Sequence, residues 1–254
     1  MTKIIAVTNQ KGGVGKTTTS VNVAYYLAKS GKKTLLIDFD PQGNATSGLG
    51  IDKSNLSRTM TEVITGQATL QSAIIQTEYK NLALAPSTPH LANTEVELAQ
   101  AEGRFIRLRR AINNLQGYYD YIIIDSPPSL SLLTVNGLIA ANYILLPVQA
   151  EFYALEGLGQ LLETMKLIRK GLNPQLDLLG VLPTMMDSRT TLSTQVHDEI
   201  KKHFPDRVFQ TAIPRNIRLA EAPSHGLPVG AYDRFSKGAR AYKALTKEII
   251  GRIG

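Results

Sequence analysis

The 254-residue sequence contains no cysteine and only four histidines. Without cysteine the chain has no disulfide scaffold, no thiolate zinc site, no iron–sulfur cluster and no cysteine nucleophile. Four scattered histidines also argue against a histidine-rich catalytic metal centre. These two scarcities exclude the disulfide-stabilised and thiol-dependent classes of protein.

Long uninterrupted apolar runs are also missing. The apolar run within residues 1–9 is too short for the core of a signal peptide, and it leads into glycines rather than to a small-residue cleavage site. The longest uncharged stretch, residues 126–150, approaches membrane-spanning length, but three prolines and two asparagines interrupt it. We interpret this stretch as a buried helix and strand, and we expect a cytoplasmic protein.

Acidic residues are scarce in the last fifth of the chain. Residues 201–254 contain eleven lysines and arginines against four acidic residues, whereas the first 200 residues contain seventeen of each sign. Such an asymmetry suits a polyanionic partner, either nucleic acid or acidic lipid, but it also suits a solvated basic surface. Charge alone leaves these alternatives open.

The apolar residues make up 43% of the chain, which is enough for a substantial core. They fall into short runs that are rich in β-branched residues and continuous rather than alternating, a pattern typical of a parallel sheet covered on both faces. No linker, repeat or low-complexity tract divides the chain. The sequence therefore predicts a single domain over residues 1–254, with an α/β, doubly wound, mostly parallel sheet and helices on both faces.

The periodicity assigns individual elements along the chain. Strands are predicted at residues 4–8, 34–38, 82–85, 121–125, 143–148, 178–182 and 208–213. Helices are predicted at residues 17–30, 92–115, 130–140, 155–170, 192–204 and 238–253. Residues 43–80 have the weakest periodicity, and we interpret them as surface excursions and short helices near the functional site.

A glycine-rich segment follows the first predicted strand and precedes a predicted helix. Residues 11–18 are nearly a Walker A motif, although the standard pattern has glycine where this chain has Gln10. Glycines let backbone N–H groups turn toward phosphate oxygens at the positive end of a helix dipole. We expect Lys16 to reach the β and γ phosphates and the Thr17 hydroxyl to bind Mg²⁺. The other residues predicted to surround the phosphates are Gly12, Gly13, Val14, Gly15 and Thr18.

Lys11 is a second lysine inside the same loop. Two ammonium groups in one phosphate cradle repel each other unless one of them points elsewhere. Lys11 therefore either serves a phosphate from outside its own loop or is a solvated loop lysine.

Two aspartates lie at the end of the second predicted strand. Asp38 is its last residue, and Asp40 follows two positions later, just before a Pro-Gln-Gly turn. Because the carboxyl ends of strands line the ligand crevice of an open parallel sheet, we expect both beside the phosphates. Asp40 is placed to orient a water toward the γ-phosphate, whereas Asp38 is better placed for the outer shell of the metal or for fixing Lys16. An Asp-Pro pair is also an ordinary turn element.

A third carboxylate ends the predicted strand at residues 121–125. The run Tyr-Ile-Ile-Ile-Asp has the Walker B form, and a rigid Ser-Pro-Pro turn follows it. We expect Asp125 to hold a metal-bound water. Any buried strand can end in aspartate, so this interpretation depends on the phosphate loop.

Together these motifs resemble those of the deviant Walker A P-loop ATPases, and within that family those of the ParA type, close to chromosomal Soj proteins. The resemblance covers essentially the whole chain. It rests on residues 11–18, 38–44 and 121–128, and on Ile-Pro-Arg-Asn at 213–216 together with Glu-Ala-Pro-Ser-His-Gly at 221–226.

The resemblance implies a mechanism that the residues alone do not. In that family two subunits sandwich two ATP molecules, which implies that Lys11 crosses to the nucleotide of the partner subunit. It implies that Asp40 supports hydrolysis and that Pro214 and Asn216 lie near the adenine. It also implies a homodimer that binds DNA without sequence preference on the nucleoid, and a ParB-type centromere-binding partner that stimulates hydrolysis. The implied function is chromosome or plasmid partitioning.

A DNA surface of this kind needs basic side chains but no recognition helix, because phosphate contacts supply affinity without reading the sequence. The excess in residues 201–254 fits this requirement. The candidate DNA contacts are Arg189, Arg215 and Arg218. Each also fits an exposed loop arginine, and Arg215 also fits the nucleotide pocket.

The alternative function is that of a membrane-cycling division-site ATPase resembling MinD. That function needs a C-terminal amphipathic helix whose apolar side faces lipid. The apolar residues of the last predicted helix are more simply explained by packing on the sheet, so we expect no stable membrane association. These residues are Ala239, Tyr242, Leu245, Ile249 and Ile253.

Overall fold

A computed structural model of the protein describes residues 1–150, 158–187 and 190–254. Within these ranges seven strands form one sheet in the order β3-β4-β2-β5-β1-β6-β7. The strands are β1 (Lys3–Val7), β2 (Thr34–Asp38), β3 (Ile75–Gln76), β4 (Leu82–Ala85), β5 (Tyr121–Asp125), β6 (Tyr143–Gln149) and β7 (Asp177–Thr184).

All neighbouring strands pair in parallel except the short edge strand β3, which runs antiparallel to β4. The central strand β1 lies between β5 and β6. Strand β2 pairs with β5 in a register that sets Asp38 opposite Asp125 at the carboxyl ends. The predicted doubly wound, mostly parallel architecture is therefore confirmed.

The helices cover both faces of this sheet. They are α1 (Lys16–Lys29), α2 (Asn44–Gly48), α3 (Met60–Thr65), α4 (Leu70–Ala73), α5 (Leu91–Leu98), α6 (Arg107–Asn113), α7 (Leu132–Ala140), α8 (Leu158–Gly171), α9 (Thr191–His203), α10 (Ile217–Glu221), α11 (Val229–Tyr232) and α12 (Lys237–Ile253). Short 3₁₀ turns occupy Lys53–Asn55 and Ala222–His225. No helix among the described residues is long and apolar enough to cross a membrane.

Two apolar layers, one on each face of the sheet, form the core. Helices α1 and α12 pack together on one face. The apolar side of α12 is buried there, as predicted, through Ala239, Tyr242, Leu245, Ile249 and Ile253. The prediction that residues 126–150 hold a buried helix and strand is also confirmed, by α7 and β6.

The predicted strand at residues 208–213 is wrong. Val208 makes only an isolated bridge to Val181. The backbone N–H groups of Gln210 and Thr211 donate instead to the Glu248 carboxylate, at 2.9 Å and 3.1 Å. A side chain from α12 thus takes two donors that a strand would give to its neighbour. The segment keeps only separate hydrogen bonds to β7, from the Phe209 N–H to the Val181 carbonyl and from the Ile213 N–H to the Pro183 carbonyl, each at 2.9 Å.

The single helix predicted at residues 92–115 is also wrong, because the segment forms two helices, α5 and α6. Gly103 lies between them with a left-handed φ of 66°. Asn136 of α7 donates to the Arg104 carbonyl and accepts the Leu108 N–H. The hydrogen bonds of this buried amide fix the start of α6. The apolar periodicity of residues 92–115 gives no sign of a break at that point.

The remaining element predictions agree with the structure to within a few residues. Residues 43–80 form short helices, as predicted, but they also contribute β3. The helix predicted at residues 155–170 is described from Leu158 onward, and its predicted start lies outside the described residues.

Candidate active site

The loop between β1 and α1 is attached to the sheet at two points, through β6 and β7. Asn9 donates its side-chain amide to the Pro147 carbonyl at 2.7 Å and accepts the Lys11 N–H at 3.0 Å. At the second point, the Thr184 hydroxyl donates to the Val14 carbonyl at 2.9 Å. Gly15 has a φ of 88° at the start of α1, a conformation that favours glycine. The loop therefore presents the first N–H groups of α1 as a preformed anion site.

Lys16 is the first residue of α1 and is 7% exposed. Its ammonium donates to the Lys11 carbonyl at 2.9 Å, across the loop. Burial lowers the pKa of Lys16, and the nearby Asp125 and Asp40 carboxylates oppose this shift. The ammonium is thus buried, hydrogen-bonded to the phosphate loop, and within the electrostatic reach of two carboxylates.

Asp125 lies fully buried at the end of β5, beside the start of α1. Its Oδ1 accepts the Ser20 hydroxyl at 2.8 Å, and the Thr17 hydroxyl contributes a further hydrogen bond. Burial, followed by the neighbouring charge of Asp38, raises the pKa of Asp125. Its Oδ2 is buried and has no hydrogen-bond partner among the residues that the structure describes.

This donor set fits Mg²⁺. A hydroxyl and a carboxylate oxygen that lacks a partner are the hard oxygen ligands that this ion prefers, and Mg²⁺ usually keeps several waters and binds few protein groups. The described part of the chain contains no cluster of three or more histidine, cysteine or acidic residues that would form an all-protein cage. Thr17 and Asp125 would therefore hold the ion together with water and phosphate oxygens.

Asp38 is also fully buried, at the end of β2. Burial raises its pKa to about 6, although hydrogen bonds from Thr46 favour its charged form. Its Oδ2 accepts both the N–H and the hydroxyl of Thr46, each at 2.7 Å. The structure thus places Asp38 against α2, whereas the charges that act on Lys16 are those of Asp125 and Asp40.

Asp40 lies in the loop after β2 and is 5% exposed. Its Oδ1 accepts the Gln42 N–H at 2.9 Å, and its carbonyl accepts the Gly43 N–H at the same distance. A Cβ at Gly43 would come within 2.8 Å of the Ser87 carbonyl oxygen, so the loop requires glycine there. Asp40 is therefore carried by a closed turn that faces the phosphate loop.

A cavity of about 300 Å³ lies beside the start of α1. Pro214 and Asn216, the residues expected near the base of a nucleotide, line it together with Gly15 and Thr18 of the loop. The side-chain oxygen of Asn216 is buried and has no partner among the described residues. Tyr242 also lines the cavity and shares a 3.1 Å hydrogen bond with Thr19 of α1.

The three arginines predicted to contact DNA lie in different surroundings. Arg189 lies outside the described residues. Arg215 lines the cavity of Pro214 and Asn216, and Arg218 forms ion pairs with Glu221 at 2.8 Å and Asp233 at 3.5 Å. The two described arginines are therefore near the nucleotide cavity or already paired with acids.

A basic surface that does not include these arginines lies between the end of α1 and the outer side of α12. It surrounds a groove of about 650 Å³, which we call the α1–α12 groove. Phe235 lies in it, 72% exposed, with the Arg234 guanidinium over its ring. None of the described residues that line the groove is acidic. Its basic residues are Lys29, Arg234, Arg240, Lys243 and Lys247.

Sequence reasoning missed three residues that the structure brings to the site. Ser20 follows Lys16 by one helical turn, so both side chains lie on the same side of α1. This spacing could have indicated that Ser20 also faces the site, where its hydroxyl contacts Asp125. Thr46 and Tyr242 carry no such signal, because their partners are set by the fold.

Comparisons with known proteins agree with this geometry. A family model described as AAA domain matches residues 2–178. The sporulation initiation inhibitor protein Soj of Bacillus subtilis is 53% identical over 249 residues, covering 98% of each chain. The chromosome partitioning protein ParA of Myxococcus xanthus is 49% identical over 250 residues, covering 98% of this chain and 88% of that protein.

Among solved structures, cobyrinic acid a,c-diamide synthase from Mycobacterium smegmatis with bound ADP and magnesium is similar to this chain. It has 39% sequence identity and a TM-score of 0.86, covering 97% of this chain and 93% of that one.

Proposed function

The chain belongs to the AAA domain family and, within it, to the ParA-type P-loop ATPases close to Soj, and we propose that it partitions a chromosome or plasmid through cycles of ATP binding and hydrolysis. Its cofactors are ATP and Mg²⁺. The observation that carries the proposal is the burial of the Lys16 ammonium in the phosphate loop, hydrogen-bonded to the Lys11 carbonyl, near the charges of Asp125 and Asp40.

Each group at the site has a role in this proposal. The loop N–H groups and Lys16 bind the β and γ phosphates of the substrate ATP, and Asp40 orients the attacking water. Thr17 and Asp125 hold Mg²⁺, which neutralises phosphate charge when bound. The buried Asn216 side-chain oxygen accepts a hydrogen bond from the amino group of the adenine. This oxygen has no partner among the described residues, and an amide oxygen is a hydrogen-bond acceptor.

The proposal is tested by measuring phosphate release from Mg-ATP by the purified chain. We expect slow turnover alone and faster turnover with random duplex DNA and the ParB-type protein of the same organism. A chain that binds ATP but releases no phosphate under any of these conditions would contradict the ATPase proposal.

The proposal includes an ATP-dependent homodimer in which Lys11 reaches the nucleotide of the partner subunit. We expect Lys11→Ala to bind ATP as a monomer and to fail to dimerise, because its backbone carbonyl, not its side chain, holds Lys16. ATP that bridges two subunits favours the dimer by its differential affinity for that state. Sedimentation with a non-hydrolysable ATP analogue measures this, with Lys32→Ala as the control. A normal Lys11→Ala dimer would show that the side chain has no role across the interface.

The proposal also includes DNA binding without sequence preference, supported by the charge of the α1–α12 groove. Five cations around a groove that no described acidic residue lines suit a phosphate backbone better than Arg218 does, because Glu221 and Asp233 already neutralise Arg218. We therefore add the groove to the candidate contacts Arg189, Arg215 and Arg218. Nucleoid association follows from this binding.

Charge reversal in the groove tests the DNA proposal. We expect Lys243→Glu with Lys247→Glu to weaken binding to random duplex and to flatten its salt dependence by about 0.9 per lost phosphate contact. ATP should strengthen wild-type binding far more than twofold, because the second subunit attaches intramolecularly. Arg218→Glu is the comparison variant. The affinity for ATP should be unchanged both in this variant and in the Lys243→Glu, Lys247→Glu double variant. Equal salt slopes for wild type and the double variant would show that the groove is only a solvated surface.

The membrane-cycling alternative finds less support. It requires an apolar helix side that faces lipid, whereas the apolar side of α12 is already buried against α1 and the sheet. Its opposite side carries three of the groove cations, Arg240, Lys243 and Lys247.

A further inference from the structure

Thr46 is the centre of a buried hydrogen-bond network beneath the loop that carries Asp40. Its N–H and its hydroxyl both donate to Asp38 Oδ2 at 2.7 Å, and its hydroxyl oxygen accepts the Ser87 N–H at 3.0 Å. Thr46, Asp38 and Ser87 are all completely buried. Because three bonds converge on one hydroxyl and one carboxylate oxygen, they fix the plane of the Asp38 carboxylate.

The other oxygen of the same carboxylate faces Asp40. Asp38 Oδ1 accepts the Asp40 N–H at 3.3 Å, and Asp40 Oδ1 accepts the Gln42 N–H at 2.9 Å. The orientation of Asp38 thus sets where the backbone of Asp40 lies. A continuous set of hydrogen bonds therefore runs from Ser87 through Thr46 and Asp38 to Asp40.

We propose that Thr46 is a positioning residue for ATP hydrolysis. It holds the Asp38 carboxylate, and this carboxylate holds the Asp40 segment so that Asp40 can orient water. The inference rests on the proposed ATPase function and on the role of Asp40 in it. Thr46 acts through Asp38 and not by contact with the reacting atoms.

The hydroxyl of Thr46 is the essential group in this proposal. A hydroxyl donates one hydrogen bond while it accepts another, which is what Asp38 and Ser87 require of it. Without it, the Ser87 N–H loses its acceptor and Asp38 loses one of its donors, inside a region that is closed to water. A methyl group of equal size cannot replace it.

Thr46 also lies in α2, so a loss of activity must be separated from a loss of the helix. Ser47 provides the comparison because its hydroxyl donates to the Gly43 carbonyl, at 3.3 Å, within the same short helix. Ser47→Ala therefore removes a helix hydroxyl and leaves the three bonds around Asp38 in place.

The experiment compares Thr46→Val, Thr46→Ser and Ser47→Ala with wild type. For Thr46→Val we expect kcat to fall roughly tenfold to hundredfold, the range that the loss of a hydrogen bond to a charged group gives. KM for ATP should stay within about twofold, because the phosphate loop is intact. Thr46→Ser should restore kcat to within about threefold of wild type, and Ser47→Ala should match wild type.

Amide hydrogen exchange of the nucleotide-free protein gives a readout that is independent of activity. The amides of residues 40–46 should exchange about tenfold faster or more in Thr46→Val, but not in Thr46→Ser or Ser47→Ala. If Thr46→Val does not fold, Thr46→Ala takes its place with the same expected pattern.

Wild-type kcat and wild-type exchange in Thr46→Val would overturn the inference. An equal loss in all three variants would also overturn it, because it would indicate a general need for α2. If wild type itself does not hydrolyse ATP, the ATPase proposal fails and the inference fails with it, whatever the exchange pattern shows.

Discussion

Replacing Lys16 by alanine should abolish productive ATP binding, because Lys16 is the cation that the phosphate loop encloses. Its ammonium is buried and donates across the loop, so it meets the phosphates with little rearrangement. Removing one partner of a buried, hydrogen-bonded charge pair costs about 2–5 kcal/mol, or roughly thirtyfold to several-thousandfold in Kd.

Titration calorimetry with Mg²⁺ and a non-hydrolysable ATP analogue measures this loss. Lys32→Ala, in the exposed turn after α1, is the matched control. Burial lowers the pKa of Lys16, so its charge is costly in the folded protein without nucleotide. The variant should therefore melt at the wild-type temperature or higher, which separates lost binding from lost folding. Unchanged ATP affinity would show that the loop does not bind phosphate through Lys16.

Replacing Asp40 by alanine should leave ATP bound but reduce its hydrolysis by about a hundredfold or more, the lower range for a positioned acid–base group. Asp40 lies outside the phosphate loop, so affinity should be retained. Because hydrolysis ends the dimeric state in the proposed cycle, the variant should accumulate as an ATP-bound dimer. Single-turnover phosphate release and sedimentation measure the two effects.

Asp40→Asn separates charge from loop geometry. The amide oxygen still accepts the Gln42 N–H but carries no negative charge. If this variant is as slow as Asp40→Ala, the carboxylate acts on the water. A variant with near wild-type turnover would reduce Asp40 to a loop-forming residue. Asp206→Ala, which changes an exposed carboxylate, is the control.

Much of the fold follows from the sequence because local pattern and global position agree. Strands β2, β4 and β5 begin and end as predicted, since each is a continuous apolar run that is buried on both faces. The order of motifs along the chain also predicts that the ends of β1, β2 and β5 form one crevice, because the carboxyl ends of parallel strands meet at one edge.

The errors arise where a distant side chain decides the local structure. Residues 208–213 have the composition of a strand, but Glu248 accepts the N–H groups of Gln210 and Thr211 in the middle of the segment. The segment 92–115 has helical composition, but Asn136 interrupts it. In both cases the deciding residue is more than 25 positions away from the backbone groups that it bonds. The sequence pattern within each segment therefore cannot predict its effect.

The site also contains some residues that the sequence predicts and others that only the folded structure reveals. The glycines, lysines and aspartates that handle phosphate follow one another along the chain, so their spacing predicts them. Thr46 is visible only after folding closes it over Asp38, and the α1–α12 groove joins Lys29 to Lys243, more than two hundred residues later. Charge counting indicated a basic surface in residues 201–254 but did not predict this groove.

The place of β1 between β5 and β6 also determines when the protein becomes foldable on the ribosome. Strand β1 is made first, yet its neighbours start at Tyr121 and Tyr143. At ordinary rates of translation, about 5–20 residues per second, β1 waits roughly 7–30 s for both of them. The phosphate loop waits longer still, because Tyr242 of α12 completes the packing of α1 through Thr19. During this interval β1 lacks both of its neighbours, and the apolar residues of the nascent N-terminal half are exposed to aggregation until β6 has been made.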